Sequence, residues 1–358
     1  HHQARYGIAM ANGTGTLEVI LRALGVGPGD EVIAPAYTYV ASATAVLQVN
    51  AVPIFVDVQA DTYNMDASLL EDAITERTRA IMPVHFGGQP ADMDAILAVA
   101  EKHGLAVVED AAHAHGSEWH GRKVGALGHA GSFSFQASKN MTAGEGGIVL
   151  TNDQSLAEKC DSLLWAGRRK GRPWYEFHQL GWNYRLTEFQ AAILLVQLER
   201  LEEQNARRMD NARYLSEQLA DIEGLEPLRW DERSTRHSFH IYIMRYRPEA
   251  FGGLPRDQFV EALNAEGIPA FTGYTFPVYA NPMFLNQDFH GRGCPINCGH
   301  YGKEIDYGAF AQKCPVTERA CHEESIWLEQ RLFLGDRRDM DDIVEAVAKV
   351  RDGVGEVV

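Results

Sequence analysis

A lysine set between two short apolar runs is the first residue of this chain that could do chemistry. Residues 131 to 151, GSFSFQASKNMTAGEGGIVLT, place Lys139 after GSFSF and before GGIVLT, with Gly144, Gly146 and Gly147 supplying the turn. The pattern predicts a strand, a lysine-bearing turn, a glycine hairpin and a second strand. An amine held where a sheet meets a cleft is partly desolvated, and its neutral form can attack an aldehyde to make a Schiff base. The ordinary alternative is a solvated lysine near a turn.

Two other stretches could work with such an amine. Asp110 closes the apolar run LAVVED and is followed by AAHAHG. It either caps a turn or holds a proton on a pyridine nitrogen, an ion pair that keeps a pyridoxal ring able to accept electrons. Asn12, Gly13, Thr14 and Gly15 precede a helical pattern through Leu17, Ile20, Leu21 and Leu24. That turn is either plain capping by Asn12 or Thr14, or a phosphate site built from free N–H groups and the positive end of the helix. His113 and His115 lack the HxxxH spacing and the carboxylate company of metal ligands, so no metal site is expected.

The elements that must position these residues alternate in type. A strand is expected at Glu31 to Pro35, a helix from Tyr39 to Val49, a strand VPIFVDV, a helix around Ala67 to Ile74, a strand AIMPVHF, a helix from Ala91 to His103 and the strand LAVVED. Short β-rich runs separated by helices are the mark of an α/β fold with a mostly parallel sheet, whose functional residues gather at the carboxyl ends of strands. Tyr37 to Tyr39, His85 and Asp110 fall there. After a helix from Ser155 to Trp165 comes the basic stretch Arg168, Arg169, Lys170 and Arg172, either a solvated loop or a surface for an anion or a partner subunit. A long helix capped by Thr187 and running to Leu219 bridges to a second, smaller α/β domain, with the boundary near residues 205 and 206. In that domain SFHIYIMRY reads as a strand, LPRDQFVEALNAEG as a helix, and Phe271 to Gln312 as a long excursion expected to line a site.

Composition narrows the partners. The 358 residues carry a formal net charge of -16, with 45% hydrophobic and 23% charged residues. So acidic a chain is not a general nucleic-acid or anionic-membrane binder, and no apolar run is long enough for a membrane span. Five cysteines without paired C-x2-C spacing make neither a disulfide framework nor a zinc site, and favour a reducing, cytoplasmic setting. No signal peptide is visible, and the chain opens at His1 without a methionine, so its natural start is expected upstream.

Taken together, the GT turn before a helix, the aspartate after LAVVE, FSF followed by a lysine, and GEGG resemble the DegT/DnrJ/StrS family of pyridoxal 5'-phosphate-dependent sugar aminotransferases. The stretches EVIAPAYTYVASATA, IMPVHFGGQPADMDAI, VVEDAAHAHGS, FSFQASKNMTAGEGG and NYRLTEFQAAIL carry the resemblance over nearly the whole chain. It implies the aspartate aminotransferase fold (fold type I) and a homodimer with shared active sites. It also implies that Lys139 bonds to the cofactor and shuttles a proton, that Asp110 pairs with the pyridine nitrogen, and that Tyr39 stacks on the ring. Gly13, Thr14, Gly15 and Ser134 would hold the phosphate, with Asn183 reaching in from the other subunit, while His113 and Gln136 would sit at the cofactor's edge.

The family's sugar dehydratases carry histidine in place of the lysine, so retention of Lys139 implies transamination. Its members also carry several dozen further N-terminal residues. The resemblance points to L-glutamine or L-glutamate as donor and to a keto cyclitol, such as scyllo-inosose or its 2-deoxy form, as acceptor. A nucleotide-linked keto sugar, a 3-amino-5-hydroxybenzoate synthase activity and a non-catalytic regulator remain as alternatives.

Overall fold

The computed structural model describes residues 1–291 and 293–354. Seven strands form the larger sheet: β1 (Tyr6–Met10), β2 (Glu31–Pro35), β3 (Val52–Val56), β4 (Thr78–Ile81), β5 (Ala106–Asp110), β6 (Ala130–Ser134) and β7 (Gly147–Thr151). Their order is β1-β7-β6-β5-β4-β2-β3. Strands β3, β2, β4, β5 and β6 pair in parallel, and β7 runs antiparallel between β6 and β1. Apolar residues on both faces explain the layering. Ile20, Val46 and Leu163 pack on one face, and Met93, Ile96 and Trp119 on the other.

The helices of this layer are α1 (Gly13–Ala23), α2 (Ala41–Gln48), α3 (Met93–His103) and α4 (Gln154–Leu164). Each expected helix is present with its ends moved by one or two residues, except the one around Ala67 to Ile74. There a 3-10 turn at Ala67–Leu69 runs into a short helix at Leu70–Ala73. The strand expected at AIMPVHF closes at Ile81, because Pro83 has no N–H for the ladder; pairing resumes only as a bridge between Val84 and Asp110.

Helix α5 (Glu188–Leu219) begins at Thr187, whose hydroxyl accepts from Gln190 N–H while the Gln190 side chain accepts from Thr187 N–H. Leu194 and Leu201 of this helix pack with Phe135 and Met141 beside the lysine loop, whereas Ala212, Leu215 and Leu219 enter the core of the second sheet. That sheet has the order β8-β9-β11-β10, from β8 (Leu225–Pro227), β9 (Ile241–Tyr246), β10 (Ala270–Phe271) and β11 (Ser325–Glu329). Helices α6 (Arg256–Ala265) and α7 (Arg337–Asp352) cover it.

The excursion after β10 departs from expectation. Of its described residues, only the first, Phe271, Gly273 and Tyr274, reach the large cavity described below. Tyr279, Phe284, Tyr307 and Phe310 instead pack around Phe55 of β3. Among the described residues, no helix is long and apolar enough to cross a membrane.

Candidate active site

A cavity of about 1190 Å³ opens at the carboxyl ends of the large sheet's parallel strands, between the two sheets. Its walls include Gly13, Thr14, Tyr39, Asp110, His113, Ser134, Gln136 and Lys139. Strands β6 and β7 are joined by the loop that carries Lys139, whose N–H donates to the Gln136 carbonyl at 2.9 Å. Asp110 ends β5 next to β6. The pairing of β5 with β6 therefore sets the aspartate and the lysine loop on the same cavity.

The helix start at the cavity wall is tightly built. The Asn12 side chain accepts from Gly15 N–H at 2.7 Å, and the Asn12 carbonyl accepts from Thr16 N–H. This leaves the Gly13 and Thr14 amides without a protein acceptor among the described residues, while the Gly15 N–H is already committed. Hydroxyls of Thr16 and Ser132 both donate to the Gly13 carbonyl and hold that peptide in place. Glycine is required twice here for close approach. A Cβ on Gly13 would stand 2.8 Å from Ser134 Cβ, and one on Gly147 would stand 2.7 Å from the Asn12 backbone.

Asp110 is buried. Its carboxylate accepts from Ser42 Oγ at 2.8 Å and from Ala112 N–H at 3.2 Å. Burial raises its pKa above the usual carboxylate value, against the pull of those two donors and of the Lys139 ammonium. Burial likewise lowers Lys139 to about 8, opposed by Asp110. At both groups desolvation outweighs their mutual attraction. Because the free amine is the nucleophile, cofactor-free protein should capture an added aldehyde at a rate that rises with pH and levels off above about 8. An ordinary lysine would go on gaining to about 10.4. The check is the absorbance-monitored rate of aldehyde capture as a function of pH.

His113 is buried and held neutral by desolvation, and its Nδ1 has no hydrogen-bond partner among the described residues. His85, expected near the site, is turned away from it. His85 Nδ1 accepts from Ala91 N–H, so Nε2 carries the proton and donates to Glu109 at 3.0 Å. Glu109 also accepts from the N–H groups of Gly125, Leu127 and Gly128, and thereby ties down the loop ahead of β6. Asn183 is exposed and absent from its own chain's cavity wall, and so are all residues of the basic segment. Arg168 of that segment stacks over Trp174 at 4.2 Å.

The smaller layer supplies a further wall of His240, Phe271, Tyr274, Trp327, Glu329 and Arg331; Phe271 and Tyr274 open the excursion expected to line a site, while no motif announced the other four. Its polar atoms are organised by Ser325, whose Oγ accepts from Tyr37 Oη at 3.0 Å and from Trp327 Nε1 at 2.8 Å. The periodicity of SFHIYIMRY placed the strand, but only the sheet order brings its first residues beside Lys139.

This mostly parallel sheet, with lysine and aspartate on one cavity at its strand ends, defines the aspartate aminotransferase class of fold, the architecture that the resemblance implied. The chain belongs to the DegT/DnrJ/EryC1/StrS aminotransferase family, whose sequence profile matches residues 1–305. It is 41% identical over 360 residues to L-glutamine:2-deoxy-scyllo-inosose aminotransferase of Streptoalloteichus tenebrarius, an alignment covering 98% of this chain and 83% of that protein. The crystal structure of 3-amino-5-hydroxybenzoic acid synthase superposes with a TM-score of 0.87 at 36% identity, covering 98% of this chain and 87% of that one. A Streptococcus pneumoniae protein described as a sugar aminotransferase, in its PLP form, superposes with a TM-score of 0.83 at 29% identity, covering 99% of this chain and 88% of that one.

The family implies pyridoxal phosphate, and the residues present fit it. Two free amides at a helix start suit a phosphate, a buried carboxylate lacking a full counter-charge suits a pyridinium, and a lysine brought down to about 8 suits an aldehyde.

Proposed function

We propose that this enzyme moves the amino group of L-glutamine or L-glutamate onto a keto cyclitol or keto sugar, with free scyllo-inosose or its 2-deoxy form as the favoured acceptor. The observation that carries the reading is the convergence of Lys139, Asp110 and the Gly13–Thr14 amides on one cavity. The named activity of the Streptoalloteichus relative supports the choice of donor and acceptor.

Bound pyridoxal phosphate supplies an aldehyde and an electron-accepting ring. Gly13 and Thr14, with the Ser134 hydroxyl, would hold the phosphate group. Asp110 would hold a proton at the ring nitrogen, with its carboxylate fixed by Ser42. Tyr39, 60% exposed and lining the cavity, would cover the ring. Lys139 Nζ takes the proton from the reacting carbon of the substrate and returns it on the other side of the exchange. The test is turnover of purified enzyme with L-glutamine against scyllo-inosose, 2-deoxy-scyllo-inosose and a nucleotide-linked keto sugar. Preference for the nucleotide-linked sugar would reassign the acceptor, and the absence of turnover with every ketone would overturn the reading.

The reading includes a cytoplasmic homodimer with shared sites, and a division into domains at residues 205 and 206 within α5. Tyr175, Leu180 and Phe189, on either side of Asn183 in sequence, are 82%, 80% and 86% exposed, large apolar side chains suited to contact with a second copy of the chain. With Asn183 serving the neighbouring phosphate site, Asn183→Ala weakens cofactor retention by about 1 to 3 kcal/mol, the cost of a buried partner left unpaired. Dialysis of the holoenzyme followed by absorbance measures this, and sedimentation reports the dimer. A fully active monomer would refute the shared site.

A further inference from the structure

His240 stands where the small sheet meets the lysine loop. It precedes β9, is 7% exposed and lines the cavity. Its ring lies 4.3 Å from the ring of His113. Asn140, next to the lysine, fixes its hydrogen-bonding character. Asn140 Nδ2 donates to the Ser238 carbonyl at 2.7 Å, which turns Asn140 Oδ1 toward His240 Nδ1 at 3.0 Å. An amide oxygen can only accept, so Nδ1 bears the proton and Nε2 is left as a lone pair. Nε2 has no protein partner among the described residues, and it is not among the buried polar atoms sealed off from solvent. Desolvation, with Lys139, His115 and Arg208 nearby, holds this ring neutral.

The backbone around the ring is fixed as well. The His240 carbonyl accepts from Gln330 N–H at 3.2 Å, and the Gln330 side chain is gripped by the buried guanidinium of Arg208. Arg208 in turn donates to Asn205 at 2.9 Å. The imidazole therefore presents a pre-oriented acceptor to the cavity that Tyr274, Trp327 and the Gly13–Thr14 turn also line. A carboxylate or phosphate brings no proton to such an atom, and neither does a ketone oxygen. A hydroxyl does.

We propose that His240 is a substrate-binding residue whose Nε2 accepts a hydrogen bond from a hydroxyl of the amino acceptor, and that Asn140 is its positioning residue. The inference rests on the polyol ketone reading above and deepens it. A site that must satisfy this acceptor rejects ketones lacking the hydroxyl, because their binding would leave a buried lone pair unpaired.

The probe is myo-inositol, a cyclic polyol without a ketone, titrated calorimetrically into holoenzyme. His240→Asn keeps a group at the Nδ1 position facing Asn140 but removes the acceptor, and it should weaken binding about tenfold. His240→Gln sets an amide oxygen near the Nε2 position and should restore most of the affinity. A loss of this size with rescue by glutamine is not what a merely structural role produces. Binding by His240→Asn equal to wild type, or a change confined to the KM for L-glutamine, would overturn the proposal. Wild-type holoenzyme that reacts with L-glutamine yet binds no polyol would overturn both the proposal and the polyol reading, while leaving the aminotransferase chemistry in place.

Discussion

Lys139→Ala should lower transamination by about a thousandfold or more, since one substitution removes both the group that captures the aldehyde and the group that moves the proton. The variant keeps the Gly13–Thr14 amides and Asp110, so it should still retain cofactor through the phosphate and the ring. Borohydride treatment should fix the cofactor onto the peptide containing Lys139 in wild type and onto no peptide in the variant. A label on a different lysine, or substantial turnover by the variant, would show the assignment to be wrong. The side chain is half-buried and its loop is anchored through Gln136 and Asn140, so the fold should survive the change.

The second large effect is expected at Asp110. Asp110→Asn keeps size and shape and can still accept from Ser42, but it cannot hold a positive charge at the ring nitrogen. Activity should fall by about a hundredfold or more, a typical loss when a positioned proton-holding group is removed. The sign of the pH effect follows from the site. In cofactor-free protein burial pushes the Asp110 carboxyl up, so folding is less favourable when the carboxyl must be ionised. Its pKa is raised above the unfolded value, so its contribution to stability is fully present below the unfolded pKa and is lost as pH rises through the folded one. Asp110→Asn should therefore melt at least as high as wild type at neutral pH without cofactor, and should lose the advantage when cofactor is bound. Thermal melts of both forms, with and without pyridoxal phosphate, check this. An equal drop in stability in both states would mean that Asp110 acts only as a turn cap.

Much of this was legible in the sequence, and the reason is local. Strand ends, the Thr187 cap and the glycines around Lys139 are written in runs of a few residues, where periodicity and turn chemistry act directly. The Gly13 turn was legible as two alternatives, and both are present at once: Asn12 caps the helix and spends the Gly15 amide, while Gly13 and Thr14 stay open. What could not be read was contact between distant segments. Ser42 finds Asp110 across 68 positions, and His240 finds Asn140 across 100. No spacing rule connects such pairs, because they meet only through the order of strands in the two sheets. The excursion from Phe271 was legible in part: its first residues line the cavity as expected, while its later aromatic residues signal burial without saying against what.

That excursion has a practical consequence for engineering. Strand β3 is an outermost strand of the large sheet, and an uncovered strand offers backbone groups on which other chains can assemble. Tyr307 donates its hydroxyl to the Pro53 carbonyl at 3.2 Å, and the ring cluster around Phe55 screens the side chains beside it. Grafting residues 278–314 from a relative in the hope of transferring substrate choice would thus exchange a protective cover, and its first symptom would be precipitation during expression.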